Sequence, residues 1–584
     1  MAGEHYSAFV EEAFVKPIRS VLIVDDDYPT FDEMLDAEIA RNGQREHKKA
    51  KDWYNDPARI KKVIASFRIP GRALLVDIHD GTNVSSGAEI KIAAHLHQSD
   101  LLVLDYQLDK AKPGDGALAI EIIRSLMSND HFNLVVVHTS ENLETVFRET
   151  LISLMAPLVD RLEADDSQRA QTLLIEAEDK ADGIGDRLSQ SVGIDQYVHA
   201  RRFHGSYLRI MSKSQQPYSA FRAECDQLEW ESDDRKLVLR YLLEQVDLGL
   251  AARFNVGSDS QLDWDDGGSR YIKTNTVFIA FSQKNNDDDL LSELLAALNA
   301  WNPRPSRLFL AKLRAEMDEY GVMAQSAVLD NLHALAHWYR RLLASEGPDR
   351  RWLITESVAR HSEQLMNGIL PRVENFAGRL IAAEAKTGVP ETLSKEHFSI
   401  DLTNAHEKLK AEYEHNAFVS SKPPEGWHLT TGQVFVVGQD YWVCVSPACD
   451  TVPAQLSAGR VALFGERLPF MAVKLIPVAD GKVLKDVQTN RYVFLRVAGG
   501  VKCFCFNDPS SDASAPAWHM LYAEKRGIFS KDFNFKLSIT EKGTRRLLQR
   551  KCDAQVVCQL RYEYALNLVQ RLGGSLTRIG LDFV

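Results

Sequence analysis

Three places in this 584-residue chain put residues able to do metal or phosphate chemistry at the end of an apolar run. Val21-Leu22-Ile23-Val24 leads into Asp25-Asp26-Asp27, Leu101-Leu102-Val103-Leu104 into Asp105, and Leu134-Val135-Val136-Val137 into His138-Thr139-Ser140. Short, continuously apolar runs bounded by polar or turn residues suit strands buried on both faces, as in a parallel sheet. In open α/β sheets, chemistry sits at the carboxyl ends of such strands. Two carboxylates at one strand end and a third at a neighbouring one would repel each other unless a cation lay between them. A hard divalent ion that keeps several waters, typically Mg²⁺, is the natural solution. Each signal alone is bland, because Asp is common in turns and Thr-Ser at helix N-caps. The weight lies in their joint order.

The elements needed to position these residues can be read along the chain. Residues 1–17 read as a leader, and from Ile18 strand-like and helix-like segments alternate as in a doubly wound fold. Phe31 to Ala40 and Pro57 to Phe67 have helical patterns, which makes the first crossover long. Ala73 to Ile78 reads as the second strand, and a helix opens at Ser86 or Gly87 and runs through Leu96. Gly114-Asp115-Gly116 precedes a helix from Ala117 to Met127, and Leu143 to Met155 is a further helix. Residues 157–193 are charged, Ala-rich and helical in pattern, an insertion ahead of any fifth strand.

An acid pair, a single acid and a hydroxyl, in that order and each at a strand's carboxyl end, resemble the receiver domains of response regulators. The resemblance covers residues 18–215. It implies a flavodoxin-like α/β fold with a parallel sheet. It also implies that Asp25 and Asp26 hold Mg²⁺ together with Asp105 and the backbone carbonyl of Gln107, that Asp105 accepts a phosphoryl group, and that the Thr139 hydroxyl meets that group. Gln107 and Glu141, two positions beyond Asp105 and Thr139, occupy places that tune phosphoryl lifetime in receivers. Receivers carry a lysine after the fifth strand. Of two candidate strands, Gln196-Tyr197-Val198-His199 is followed only by Ala200-Arg201-Arg202, whereas Tyr207 to Met211 is followed by Ser212-Lys213, so Lys213 is the expected residue. The partners implied are a histidine kinase or phosphotransfer protein and a downstream effector protein. The long insertion and unusual output region look similar to divergent receivers of bacterial conflict and phage-defence phosphorelays.

Beyond residue 215 the pattern changes twice. Residues 216–420 read as a mainly helical region, with helices at about 306–320, 322–345 and 351–386. Trp301, Trp338, Tyr339 and Trp352 read there as core or interface anchors. Within that region Trp264-Asp265-Asp266-Gly267-Gly268 forms a turn before the apolar strand Val277 to Phe281. His333 and His337 have metal-ligand spacing on one helix face but no evident third ligand, which favours a structural role. Ser420 to Gly426 reads as a linker. Residues 427–584 read as a β-rich domain, a small barrel or sandwich, closed by a helix from about 555 to 572 that Gly573-Gly574 ends. Cys449-Asp450 at a strand end is the candidate for a nucleophile, and Cys503 and Cys505 read as buried structural thiols. Arg561 and Arg578 are read as exposed basic residues without a role.

Composition narrows the function classes. The formal net charge of −12 disfavours non-specific nucleic-acid binding. No run of about 18 apolar residues occurs, so no membrane span is expected. An odd set of seven cysteines, most of them towards the C-terminus, reads as reduced thiols, and the absence of an h-region argues against secretion. A cytoplasmic location is therefore expected. Two other function classes compete with a phosphoacceptor: a degenerate receiver acting as a scaffold, and an effector enzyme, perhaps a nuclease, working through residues 427–584.

Overall fold

The computed structural model describes residues 5–41, 57–69, 71–79, 99–109, 112, 114–129, 131–155, 161–203, 206–213, 216–253, 262–284, 289–329, 332–453, 458–478, 491–506, 516 and 518–576. The apolar runs at 20–24, 101–104 and 133–139 are adjacent strands of one sheet. In chain order its strands are β1 (Ser20–Val24), β2 (Leu75–His79), β3 (Leu101–Leu104), β4 (Asn133–Thr139), β5 (Asp263–Asp265), β6 (Tyr271–Lys273) and β7 (Val277–Gln283). Their spatial order is β2-β1-β3-β4-β7-β6-β5. The first five are parallel, and β6 and β5 extend the sheet as antiparallel strands. The order 2-1-3-4 followed by β7 is that of a flavodoxin-like fold.

At the centre of the sheet, in β1, β3, β4 and β7, both faces are covered, which is why these strands are apolar along most of their length rather than at alternate positions. Val24, Leu102, Leu104, Val135, Val137, Ile279 and Phe281 share a core with helices Ala117–Met127 and Leu143–Leu154, whose Ile122, Ile123, Phe147 and Leu151 are buried. Alternate residues such as Val103, Val136 and Phe278 are buried on the opposite face. On that side Phe278 lies 5.4 Å from Trp301, at the end of helix Leu290–Trp301, and Trp301 lies 5.8 Å from Phe14.

Phe14 belongs to residues 6–15, which are helical rather than a leader of uncertain order. Phe9, Val10, Ala13, Phe14 and Val15 are buried, and Glu12 pairs with Lys312 at 2.9 Å. A run of apolar residues on one side of a short helix gives it a core to join, and that fixes it.

The connection from β4 to β7 departs most from expectation. Residues 196–199 and 207–211, read as strands from their short apolar runs, lie on helices Ile194–Arg202 and Tyr207–Ser212. At the first, the Gln196 side chain accepts the Gly193 N–H at the helix start, and Tyr197 and Ala200 bury one helical face. Lys213 therefore follows a helix, as its C-cap, and no strand. The insertion does not stop at 193. Helices Ala164–Lys180, Ile184–Gln190, Ser219–Gln227 and Ser232–Arg253 and the β5–β6 pair all precede β7. The fifth parallel strand is the 277–283 segment, so the expected boundary at 215 falls inside this unit. The helix expected over 86–96 lies outside the described residues.

The chain divides into two compact units, 1–315 and 316–584. The second begins within the helix Pro305–Leu329 and continues through the helices Leu332–Ala344, Gly347–Glu384, Pro390–Phe398 and Ala405–Ser420. Its strands are β8 (Gln433–Val437), β9 (Asp440–Cys444), β10 (Leu468–Pro477), β11 (Tyr492–Val497), β12 (Gly500–Cys505), β13 (Trp518–Ala523), β14 (Asn534–Lys542) and β15 (Leu547–Leu560). Pairing runs β8-β9-β10-β13-β14-β15 and returns to β8, each pair antiparallel, so six strands close a barrel. Closure leaves no free sheet edge among them. The β11–β12 hairpin branches from β10, with Phe494 4.9 Å from Tyr413 of helix Ala405–Ser420.

The expected linker at 420–426 is partly built in. Ser420 and Ser421 are buried, and Ser421-Lys422 pair with β15. The last helix spans Tyr562–Leu576 and runs through Gly573-Gly574 rather than ending there. Among the described residues, no helix is long and apolar enough to cross a membrane.

Candidate functional site

Strand register determines what meets at the carboxyl edge of the first sheet. Val24 pairs with Leu104 in the parallel β1–β3 ladder, so Asp25 and Asp105, the next residue of each strand, emerge side by side. Backbone bonds hold both in place: the Asp105 N–H donates to the Val24 carbonyl (2.8 Å) and the Asp25 N–H to the His79 carbonyl (3.1 Å). The Asp25 carboxylate also accepts the Asp27 N–H at 2.9 Å, which turns the loop so that Asp26 lies beside it. Ligand oxygens of Asp25, Asp26 and Asp105 all lie within 4.8 Å of one another. Asp25 and Asp105 are buried and Asp26 is half-buried.

Thr139 ends β4 and is fully buried. Its hydroxyl accepts the Glu141 N–H (3.1 Å), and its carbonyl accepts the Lys284 N–H (2.7 Å). The second bond follows from the β4–β7 register, which pairs Thr139 with Gln283. Lys284 is thus the residue immediately after the fifth parallel strand. Its ammonium reaches Asp105 Oδ2 at 2.7 Å and Asp25 Oδ2 at 2.9 Å, with only 6 % of the side chain exposed.

Lys284 was not singled out by sequence reading, although its strand was. The apolar run 277–281 reads as a strand after a Gly-Gly turn, but it stands far along the chain from Thr139, behind a helical insertion, and nothing local ties it to the acids. Lys213, the residue expected in this place, is exposed on the helical insertion. Gln107 is half-buried in the loop after Asp105.

The electrostatics of the cluster are strongly coupled. Burial pushes the Asp105 carboxyl up to about 7, the nearby Asp25 and Asp26 push in the same direction, and the Lys284 ammonium pulls against them. Burial alone would lower the Lys284 ammonium, but Asp25 and Asp105 together outweigh that and raise it. Three carboxylates against one ammonium leave two negative charges, which one divalent cation would balance. Hard carboxylate oxygens, with Asp26 open enough to leave room for waters, suit Mg²⁺. Asp25, Asp26 and Asp105 would hold it. Among the described residues, this is the cluster of three or more acidic, histidine or cysteine side chains with metal-ligand geometry.

The loop after Asp105 is fixed by one close approach. The buried Tyr106 donates its hydroxyl to Glu149 (2.7 Å), and its ring passes Gly116 so tightly that a Cβ there would lie 2.0 Å from a ring carbon. The Gly114-Asp115-Gly116 turn therefore needs a glycine at its last position, and the Asp115 carboxylate accepts the Ala117 N–H where the next helix starts.

The other residues with chemical potential are placed differently. Cys449 is exposed and sits with Asp450 on the short helix Ala448–Thr451, while Cys503 and Cys505 are buried on β12. His333 and His337 are exposed.

Comparison with known proteins agrees with this geometry over part of the chain. Residues 17–188 match the family model of the response receiver domain, so this segment of the chain is a receiver domain. The match ends within the helical insertion, before β7 and Lys284. No curated protein and no solved structure matches the chain.

Proposed function

We propose that the protein is a phosphoacceptor of a histidine-to-aspartate phosphorelay, phosphorylated on Asp105. The observation that carries this reading is the Lys284 ammonium bridging Asp25 and Asp105, with Asp26 adjacent. A buried carboxylate with a cation at hydrogen-bond distance and two further acids to hold a metal is equipped to receive a phosphoryl group rather than merely to turn a chain.

In the step itself, a carboxylate oxygen of Asp105 attacks the phosphorus of a phosphohistidine. The new O–P bond forms as the P–N bond breaks, and the imidazole leaves with the electron pair. Asp25, Asp26 and Asp105, with the backbone carbonyl of Gln107, would hold a Mg²⁺ ion, which when bound would neutralise charge on the transferred oxygens. Lys284 is released from Asp105 as that carboxylate becomes an acyl phosphate, and its ammonium pairs with a phosphoryl oxygen. The Thr139 hydroxyl donates to another. This assigns to Lys284 the role first expected of Lys213.

Two surfaces suit the partners. Helix Phe31–Arg41 begins just beyond the acids and exposes Phe31, Leu35 and Ile39 at successive turns, an apolar stripe on which a donor protein can seat. On the other side, Phe147 of helix Leu143–Leu154 lies 5.3 Å from Phe281, and Arg148 pairs with Asp195 of the insertion at 3.0 Å. A shift of that helix on phosphorylation is thereby passed to the insertion, which acts as the first reader within the same chain.

The direct test is a phosphate-affinity gel of the full chain treated with acetyl phosphate and Mg²⁺. The parent should show a shifted band that Asp105→Asn abolishes and EDTA prevents. A shifted band that survives Asp105→Asn, or a parent chain that shows none, would overturn the proposal, and the second outcome would leave the scaffold reading in its place.

A further inference from the structure

The helix Leu332–Ala344 carries two apolar stripes and uses only one. Leu335, Trp338 and Leu342 are half-buried towards the following helix, Gly347–Glu384. The Trp338 indole N–H donates to the Ser357 hydroxyl, and its ring lies 5.8 Å from that of His361. The second stripe, Leu332, Ala336, Tyr339 and Leu343, is open to solvent, with Leu332 at 72 %, Tyr339 at 58 % and Leu343 at 62 % exposure. Its spacing of four, three and four residues is that of a heptad seam.

The partner helix repeats the pattern. Leu353 and Ser357 sit on its inner side, while Ile354 (47 %) and Val358 (60 %) are exposed. In both helices the open stripe lies one residue after the inner one, a rotation of about 100° in the same sense. The helices are antiparallel: Arg350 donates to the Leu342 carbonyl at the turn, and Ser357 meets Trp338 further along. For antiparallel neighbours, equal rotations bring both open stripes to the same side of the hairpin.

What covers that side is indicated by its own symmetry. Pairing the first helix antiparallel with its own copy sets Leu332 against Leu343 and Ala336 against Tyr339, a small side chain opposite a large ring. The stripe is therefore complementary to itself, as an isologous contact requires. Five large side chains exposing on the order of 100 Å² each give about 500 Å² of apolar surface per copy, a sufficient centre for an interface of about 800 Å² per partner. His333, His337 and Arg340 supply the polar rim.

We propose that this hairpin face joins two copies of the chain in an antiparallel four-helix bundle. Sedimentation velocity of the full chain, without phosphoryl donor, at about 1–100 µM should show a monomer–dimer equilibrium. Leu332→Lys alone and Leu343→Glu alone should each weaken it more than about tenfold. Combining them in one chain should restore it, because in the antiparallel seam the new lysine of each copy meets the new glutamate of the other. Thermal unfolding at a concentration low enough to keep every chain monomeric should be the same for the variants and the parent, which separates lost association from lost folding. A parent chain monomeric throughout, a dimer that both single substitutions leave intact, or a double variant no better than the singles would each overturn the proposal.

Discussion

At the scale of the residue, the cluster is a balance between repulsion and neutralisation. Lys284 is the counter-charge of two buried carboxylates, and removing one partner of such a pair typically costs about 3–5 kcal/mol, because the remaining charge is left buried and unpaired. Lys284→Met should therefore lower the stability of the first unit by about 3 kcal/mol in EDTA, as read by urea unfolding. Mg²⁺ should recover part of that loss, since a divalent ion can take over the neutralisation. Lys213→Met, on the exposed end of a helix, should leave the same curve unchanged. Gly116 is governed by contact rather than charge. Gly116→Ala should displace the Tyr106 ring, cost about 1–3 kcal/mol and alter Tyr fluorescence or near-UV circular dichroism, without removing any acid.

At the scale of the element, the strands deliver the site and the helical segments decide how it is read and how the second unit holds together. A pH effect belongs here. His428, at the start of the barrel, is paired by an isolated bridge to Ile528, and its ring lies 4.5 Å from that of Trp427, whose other neighbour is Arg351 of the long helix. Burial, aided by Arg351, pulls the imidazole down to about 4. Its folded value lies below the unfolded value of about 6.5, so the unfolded chain binds the proton more readily. The neutral ring's contribution is complete above about pH 6.5 and is lost as pH falls towards 4. The loss is worth about 3 kcal/mol. The second unit's midpoint in urea should fall across that window, and His428→Gln should flatten the slope. An unchanged slope in the variant would remove His428 as its cause.

At the scale of the whole molecule, two compact units imply two responses. Calorimetry of the full chain should resolve two transitions, and mM Mg²⁺ should raise only that of the unit holding Asp25, Asp26 and Asp105, by mass action on the folded form. If both transitions moved together, the units would be energetically coupled.

The continuous apolar runs before Asp25, Asp105 and Thr139 determined by themselves that parallel strands would present acids and a hydroxyl at one edge. A strand buried on both faces leaves its polar residues nowhere else to go. The β-rich end of the chain was equally legible, because short strands between turns admit few packings. Only the tertiary structure decided which lysine completes the cluster. Pairing between β4 and β7 is made across more than a hundred residues of inserted helices, and local pattern carries no information about such a distance. The same holds for segments 196–199 and 207–211, whose few apolar residues fit a strand or a helix equally well until Gly193, Gln196 and the buried faces of Tyr197 and Met211 fixed them as helices.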